Sequence, residues 1–357
     1  MINLDSLDNI KKIDSKKLVF SIRSFPDQIK QAWREVFEQD IPQSCPLAKN
    51  VVVSGMGGSA LGGRIVDSLL LDRFRTPIEV VTEYNLPNYV NRDTLVILTS
   101  YSGNTEETLS AAREAQNRGA ILFAITTGGK LAEFIKSGGI SGYVFDPVAN
   151  PSGQPRMGLG YSITATLAVL ARCEFINLLD SEMADVLEDT KKLVSEFDIA
   201  TPESVNLAKR MAIKLKGKIP LIIASEHLVG SAHAFKNQLN ENAKTFSALF
   251  EIPELNHHLM EGLKNPYQIK ELLHFLFLES DLYTKEVQKR YPITREVIEK
   301  NSIETSSYFT KGKRKLNQIF EVITFSSFLA YYLAMLYDED PTPIPWVDFF
   351  KENLAKT

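Results

Sequence analysis

Two short stretches of the 357-residue chain concentrate the residue types that hold a small anion. VVVSGMGGSALGG (51–63) and LVILTSYSGNTEET (95–108) are each an apolar run that breaks into glycine and hydroxyl residues where a helical pattern begins. Glycines 55, 57 and 58 let backbone N–H groups approach a ligand without a Cβ in the way. A helix N-terminus adds unpaired N–H groups and a partial positive charge, which suits phosphate. Gly58, Ser59, Ser100, Ser102 and Thr105 are therefore the expected grip, and one phosphate monoester has enough acceptor oxygens to use both clusters. A capping box of Asn104 and Glu107 would explain the helix start. It leaves Ser100, Ser102 and the matching loop at 55–59 unexplained. GMGGSA also fits the G-x-G-x-x-A turn of dinucleotide sites, with Glu83 about where a ribose-binding acid falls. A pyrophosphate needs only one such turn, so the second, hydroxyl-rich loop favours a monoester.

The elements that must carry these loops read as alternating strands and helices. NVVVSG, IEVVTEY, TLVILTS, ILFAITT and GYVFDP are expected strands. Residues 26–38, SALGGRIVDSLLL and TEETLSAAREAQNRGA are expected helices. Near-continuous apolar strands separated by amphipathic helices imply a parallel sheet covered on both faces. Residues 158–196 read as helical. Beyond Pro202 the pattern resumes with KIPLIIASE (218–226) and LLHFLFLES (272–280) as strands, and with helices from GSAHAF, at ITREVIEKN and over 316–337. PLIIASEHLVGSAHAF falls where VVVSGMGGSALGG stood, so the second half reads as a worn copy that kept its strands and lost its ligand grip.

Composition narrows the function classes. A net charge of −4 gives no electrostatic support to nucleic-acid binding, and the basic run at 311–315 reads as a solvated loop. The apolar stretch 319–337 contains Glu321 and several hydroxyls and is bordered by Asp338-Glu339-Asp340, so it reads as a core helix and no membrane role is expected. Cys45 and Cys173 lie far apart in sequence, which argues against a disulfide framework and suits a reducing, cytoplasmic setting. The five histidines (227, 233, 257, 258, 274) show no metal-ligand spacing, so no metal is expected.

GMGGSALGG with SYSGNTEET resembles the sugar isomerase (SIS) domain. PRMGLGY (155–161), NQLNENAK (237–244), ELNHHLMEG (254–262) and DPTPIP (340–345) narrow the resemblance to the bifunctional phosphoglucose/phosphomannose isomerases, over roughly residues 40–357. The resemblance implies an α/β fold of two tandem SIS domains, each a doubly wound parallel sheet flanked by helices. The expected division is an N-terminal helical extension (1–40), a first, phosphate-binding SIS domain (41–150), a helical linker (151–200) and a second, degenerate SIS domain with C-terminal helices (201–357).

It also implies a cofactor-free aldose–ketose isomerase that converts glucose-6-phosphate, and mannose-6-phosphate, to fructose-6-phosphate through a cis-enediol(ate). Glu241 matches the family's base, a role that burial would favour by raising its pKa. Arg156 matches the arginine that stabilises the enediolate. His257 matches a ring-opening histidine delivered by the neighbouring subunit of a homodimer with shared active sites, though the adjacent His258 leaves the choice open. Lys351 matches a C-terminal lysine near the sugar. Thr342 is a candidate lining residue, with a turn role as the alternative. A non-catalytic sugar-phosphate sensor is the competing reading. It would keep the hydroxyl loops and use Glu241 and the histidine structurally.

Overall fold

The computed structural model describes residues 2–354 and 356. Helices α1 (Leu7–Ile13), α2 (Leu18–Arg23) and α3 (Phe25–Phe37) lead the chain. Strands β1 (Asn50–Gly55), β2 (Ile78–Val81), β3 (Thr94–Thr99), β4 (Ile121–Thr126) and β5 (Ser141–Val144) then form a parallel sheet in the order β2-β1-β3-β4-β5. Helices α4 (Gly58–Leu70), α5 (Glu106–Asn117) and α6 (Gly129–Lys136) lie in its crossovers. Every residue of β3 and β4 is buried, the mark of strands covered on both faces.

Helices α7 (Leu159–Arg172), α8 (Asp180–Phe197) and α9 (Leu207–Leu215) lead to a second parallel sheet. Its strands are β6 (Ile219–Ala224), β7 (Ala248–Glu251), β8 (Leu273–Glu279) and β9 (Glu304–Phe309), in the order β7-β6-β8-β9. Helix α10 (Val229–Glu241), the short α11 (Leu255–His258) and α12 (Ile269–Leu272), and α13 (Lys285–Lys300) connect these strands. Helices α14 (Lys315–Leu336) and α15 (Pro345–Leu354) close the chain. The doubly wound α/β fold in two copies is as the sequence implied. β7 and β9 add strands to the expected set, and α6, α9 and the short α11 and α12 add helices. β9 is ETSSYF, a half-exposed edge strand whose polar residues carry no apolar run for pattern reading to catch.

One described helix, α14, is long and apolar enough to cross a membrane, and its whole apolar window is buried inside the protein. It packs mainly against α8, α9 and α10 and also touches α2 and α4 of the first half, so it lies in the core that joins the two halves. The expectation that the cysteines stay apart is corrected. Cys45 and Cys173 are disulfide-bonded with Cα atoms 5.3 Å apart, both buried, across a separation of 128 residues. α3 and α7 pack together and bring the two ends into register, a tertiary pairing that sequence spacing does not reveal.

Candidate active site

The two hydroxyl loops leave β1 and β3, which are neighbours at the centre of the first sheet. The strand order turns outward in opposite directions from that pair, so the loops flank the crevice where open α/β sheets bind ligands. Gly57 adopts φ 51°, and Gly58 lies so close to the next segment that a Cβ would sit 3.0 Å from both Pro155 C and Arg156 N. Glycine at 58 thus lets the loop after β1 abut the turn that carries Arg156. Gly58, Ser59 and Ser100 line one small cavity together with Pro155 and Gly158.

The hydroxyls are arranged to donate. Ser59 Oγ accepts from Tyr101 N (3.0 Å), and Ser102 Oγ accepts from Asn104 N (3.3 Å). Ser100 Oγ accepts from Gly103 N (3.1 Å) and shares a hydrogen bond with Thr105 Oγ1 (2.8 Å). Each hydroxyl carries one proton. Ser59 and Ser102 therefore keep theirs for another acceptor, and the Ser100–Thr105 pair keeps one more. The expected capping box is not formed. Thr105 is the N-cap of α5 without a side-chain cap bond, Asn104 Oδ1 accepts instead from Lys130 N (3.1 Å), and α4 also starts uncapped at Gly57. Two helix N-termini and three hydroxyl protons thus lie at the ends of two neighbouring strands, a set of donors that suits an anion.

Arg156 is 2% exposed and stands 3.8 Å from the Glu241 carboxylate, whose side chain is 30% exposed. A guanidinium has five N–H groups. Nε donates to Asn242 Oδ1 (2.6 Å), Nη1 to Gln154 Oε1 (2.8 Å), and Nη2 to the carbonyls of Pro341 (3.1 Å) and Thr342 (2.6 Å). One N–H remains, on the nitrogen that faces Glu241. Burial raises the Glu241 pKa above the ordinary glutamate value, with Arg156, Lys244, Lys351 and Lys236 opposing the rise. A partly buried carboxyl poised to exchange a proton beside a fixed cation can move a proton and hold the oxyanion that results.

Lys351 lies on α15, and its charge acts on Glu241. α15 buries none of its residues, and Trp346, Phe349 and Phe350 are exposed. Thr342 is buried, its hydroxyl without a partner beside the carbonyl that Arg156 holds. His257 is not brought in. Its ring is exposed on α11, and among the described residues it makes no hydrogen bond or ion pair with this chain's Glu241 or Arg156. His258 leans towards Phe250, with ring centroids 6.3 Å apart. Gln154, Asn242 and Lys244 are contacts that sequence reasoning missed. The last two stand in NENAK, but nothing in their spacing distinguishes them from a polar helix end.

The second sheet differs from the first at the corresponding place. At the matching pair of strand ends, Glu226 Oε1 accepts from both the backbone N (2.9 Å) and the Oγ1 (2.7 Å) of Thr284, the N-cap of α13. An internal carboxylate takes the place an external anion would need.

Comparison with known proteins places the chain in a family. The model of the SIS domain matches residues 47–134, and that of the bacterial phospho-glucose isomerase C-terminal SIS domain matches 204–354. A bifunctional phosphoglucose/phosphomannose isomerase from Caldicellulosiruptor bescii is 35% identical over 338 residues, covering 94% of this chain and 98% of its own. The chain belongs to the bifunctional phosphoglucose/phosphomannose isomerase family. A relative of the same name from Aquifex aeolicus is 32% identical over 89% of this chain and 94% of its own. Among solved structures, a hypothetical protein from Thermus thermophilus shares the fold with a TM-score of 0.75. It is 15% identical and covers 98% of this chain and 93% of its own.

Proposed function

We propose that the protein is an aldose–ketose isomerase that converts glucose-6-phosphate and mannose-6-phosphate to fructose-6-phosphate through a cis-enediol(ate). The observation that carries this reading is the Arg156–Glu241 pair at 3.8 Å, with the carboxyl's pKa raised by burial. Relatives bearing the activity in their names span nearly the whole chain. Gly58, Ser59, Ser100, Ser102 and Thr105 hold the phosphate. Glu241 takes the proton from C2 of the open aldose and returns it to C1. The remaining Arg156 N–H and its charge stabilise the enediolate between those steps. Both aldoses differ only at C2 and collapse to one intermediate, so one carboxylate serves both.

His257 opens the ring from a second copy of the chain, in a homodimer with shared active sites. Two features support that reading: the ring is exposed away from its own Glu241, and the aromatic face of α15 beside the site is uncovered. Lys351 lies near the sugar. The working division of the chain is 1–40, 41–150, 151–200 and 201–357, and the family matches fall within the second and fourth parts. The cytoplasm is the expected compartment, on the ground that hexose phosphates are charged intracellular metabolites. The cysteines no longer contribute to that inference.

A coupled assay for fructose-6-phosphate from each aldose tests the activity, and no turnover with either sugar refutes it. Glu241→Gln separates an enzyme from a sensor. Turnover is lost while sugar-phosphate binding persists if the carboxylate is the base.

A further inference from the structure

α10 ends at Glu241, and three residues later Lys244 adopts a left-handed backbone (φ 52°). That conformation is strained for a non-glycine residue, so the surroundings must hold it. The ammonium supplies the hold. Lys244 Nζ donates back to the Glu241 carbonyl at 2.7 Å and across to the Pro341 carbonyl at 3.3 Å. Pro341 O is the same oxygen that accepts from Arg156 Nη2 at 3.1 Å. The contacts close a ring that runs from the Glu241 carboxylate to Arg156, to the Pro341 carbonyl, to Lys244 and back to the Glu241 backbone.

We propose that Lys244 is a positioning residue of the isomerase site: its ammonium ties the end of α10 to the 341–342 loop and so fixes the Glu241 carboxylate against the Arg156 guanidinium. The inference rests on the isomerase reading given above. Lys244 serves through Glu241 and Arg156, not through the sugar. Removing it frees the last turn of α10 and leaves the phosphate grip at 58–59 and 100–105 intact. The loss then falls on kcat, because misplacing a reacting group costs transition-state stabilisation and leaves ground-state binding in place.

The same ammonium gives the enzyme a basic limb. Burial first, and then the Arg156 charge, push the Lys244 pKa down to about 8, with Asp340, Glu339 and Glu241 opposing. Above that pH the charge-assisted bonds to the two carbonyls become ordinary, weaker ones.

The test is kcat and KM for wild type, Lys244→Met and Lys244→Arg across neutral and alkaline pH, with melting temperatures alongside. Lys244→Met is expected to lose about tenfold or more in kcat at neutral pH, with KM within about twofold. Lys244→Arg is expected to keep most of its kcat and to move the basic midpoint up from about 8, since a guanidinium stays charged. Undiminished kcat in Lys244→Met, a rise in KM at constant kcat, or an unmoved basic limb in Lys244→Arg overturns the proposal. If Lys244→Met fails to fold, the basic limb of Lys244→Arg still decides. A wild type that does not isomerise either sugar refutes the isomerase reading itself, and this inference with it.

Discussion

Glu241 faces the one guanidinium N–H of Arg156 that the protein has not already claimed. The remaining donors hold Asn242, Gln154 and the 341–342 carbonyls, so the cation cannot swing away when charge develops on a substrate oxygen. Glu241→Gln keeps the shape and removes the proposed base. Its kcat is expected to fall by about 10²–10⁴-fold in the coupled assay, while binding of a sugar phosphate, read by calorimetry, stays within a few-fold.

The same substitution should stabilise the fold. The Glu241 pKa is raised in the native state, so ionisation there is less favourable than in the unfolded chain. Stability is then unaffected below the unfolded pKa and is lost as pH rises through the folded one. Glu241→Gln is therefore expected to melt higher than wild type at neutral pH. The gap should close near pH 4. Equal melting temperatures at neutral pH would mean that the site stores no such cost.

Gly58 is the contact between the phosphate loop and the Arg156 turn. Gly58→Ala places a Cβ 3.0 Å from the backbone of Pro155 and Arg156, atoms that cannot rotate aside. Both the phosphate grip and the Arg156–Glu241 pair should shift, so KM is expected to rise and kcat to fall, each by about tenfold. A change confined to KM would show that the two parts of the site are independent.

The homodimer reading makes a sharper demand. Glu241→Gln and His257→Ala should each be inactive alone. Dimers mixed by unfolding and refolding should recover activity, up to about a quarter of wild type, because one of the two shared sites regains both groups. No recovery would place the ring-opening group on the same chain as the base, or on another residue.

How much of this was legible beforehand follows from what each feature depends on. β1, β3 and their loops were plain because buried parallel strands are continuous apolar runs and the glycines and hydroxyls cluster beside them. Glu241 was named by resemblance, since a lone glutamate on a polar helix end has no local signature. Its raised pKa comes from packing that no spacing encodes. Asn104 illustrates the opposite failure. The local rule assigned it to cap α5, and tertiary contact with Lys130 took it away. Cys45 and Cys173 failed for the same reason, a pairing made only by α3 lying on α7.

That disulfide closes a loop of 128 residues around the whole first sheet. Closing a loop of this size removes unfolded-state entropy equivalent to as much as about 4–5 kcal/mol. Reduction under denaturing conditions followed by refolding with thiol present is expected to lower the melting temperature by several degrees. Unchanged melting, with two titratable thiols in the protein as purified, would show that the bond is not formed in solution.

The carboxylate of Glu226 at the start of α13 bears on how many sugars each chain is expected to hold. The architecture is doubled, but at the matching strand ends of the second sheet the chain supplies its own carboxylate, so one hexose phosphate per polypeptide is the expected saturation. On this reading the duplicated half is released from recognition and left to furnish the proposed base, the loop that steadies it and the helix at the centre of the protein.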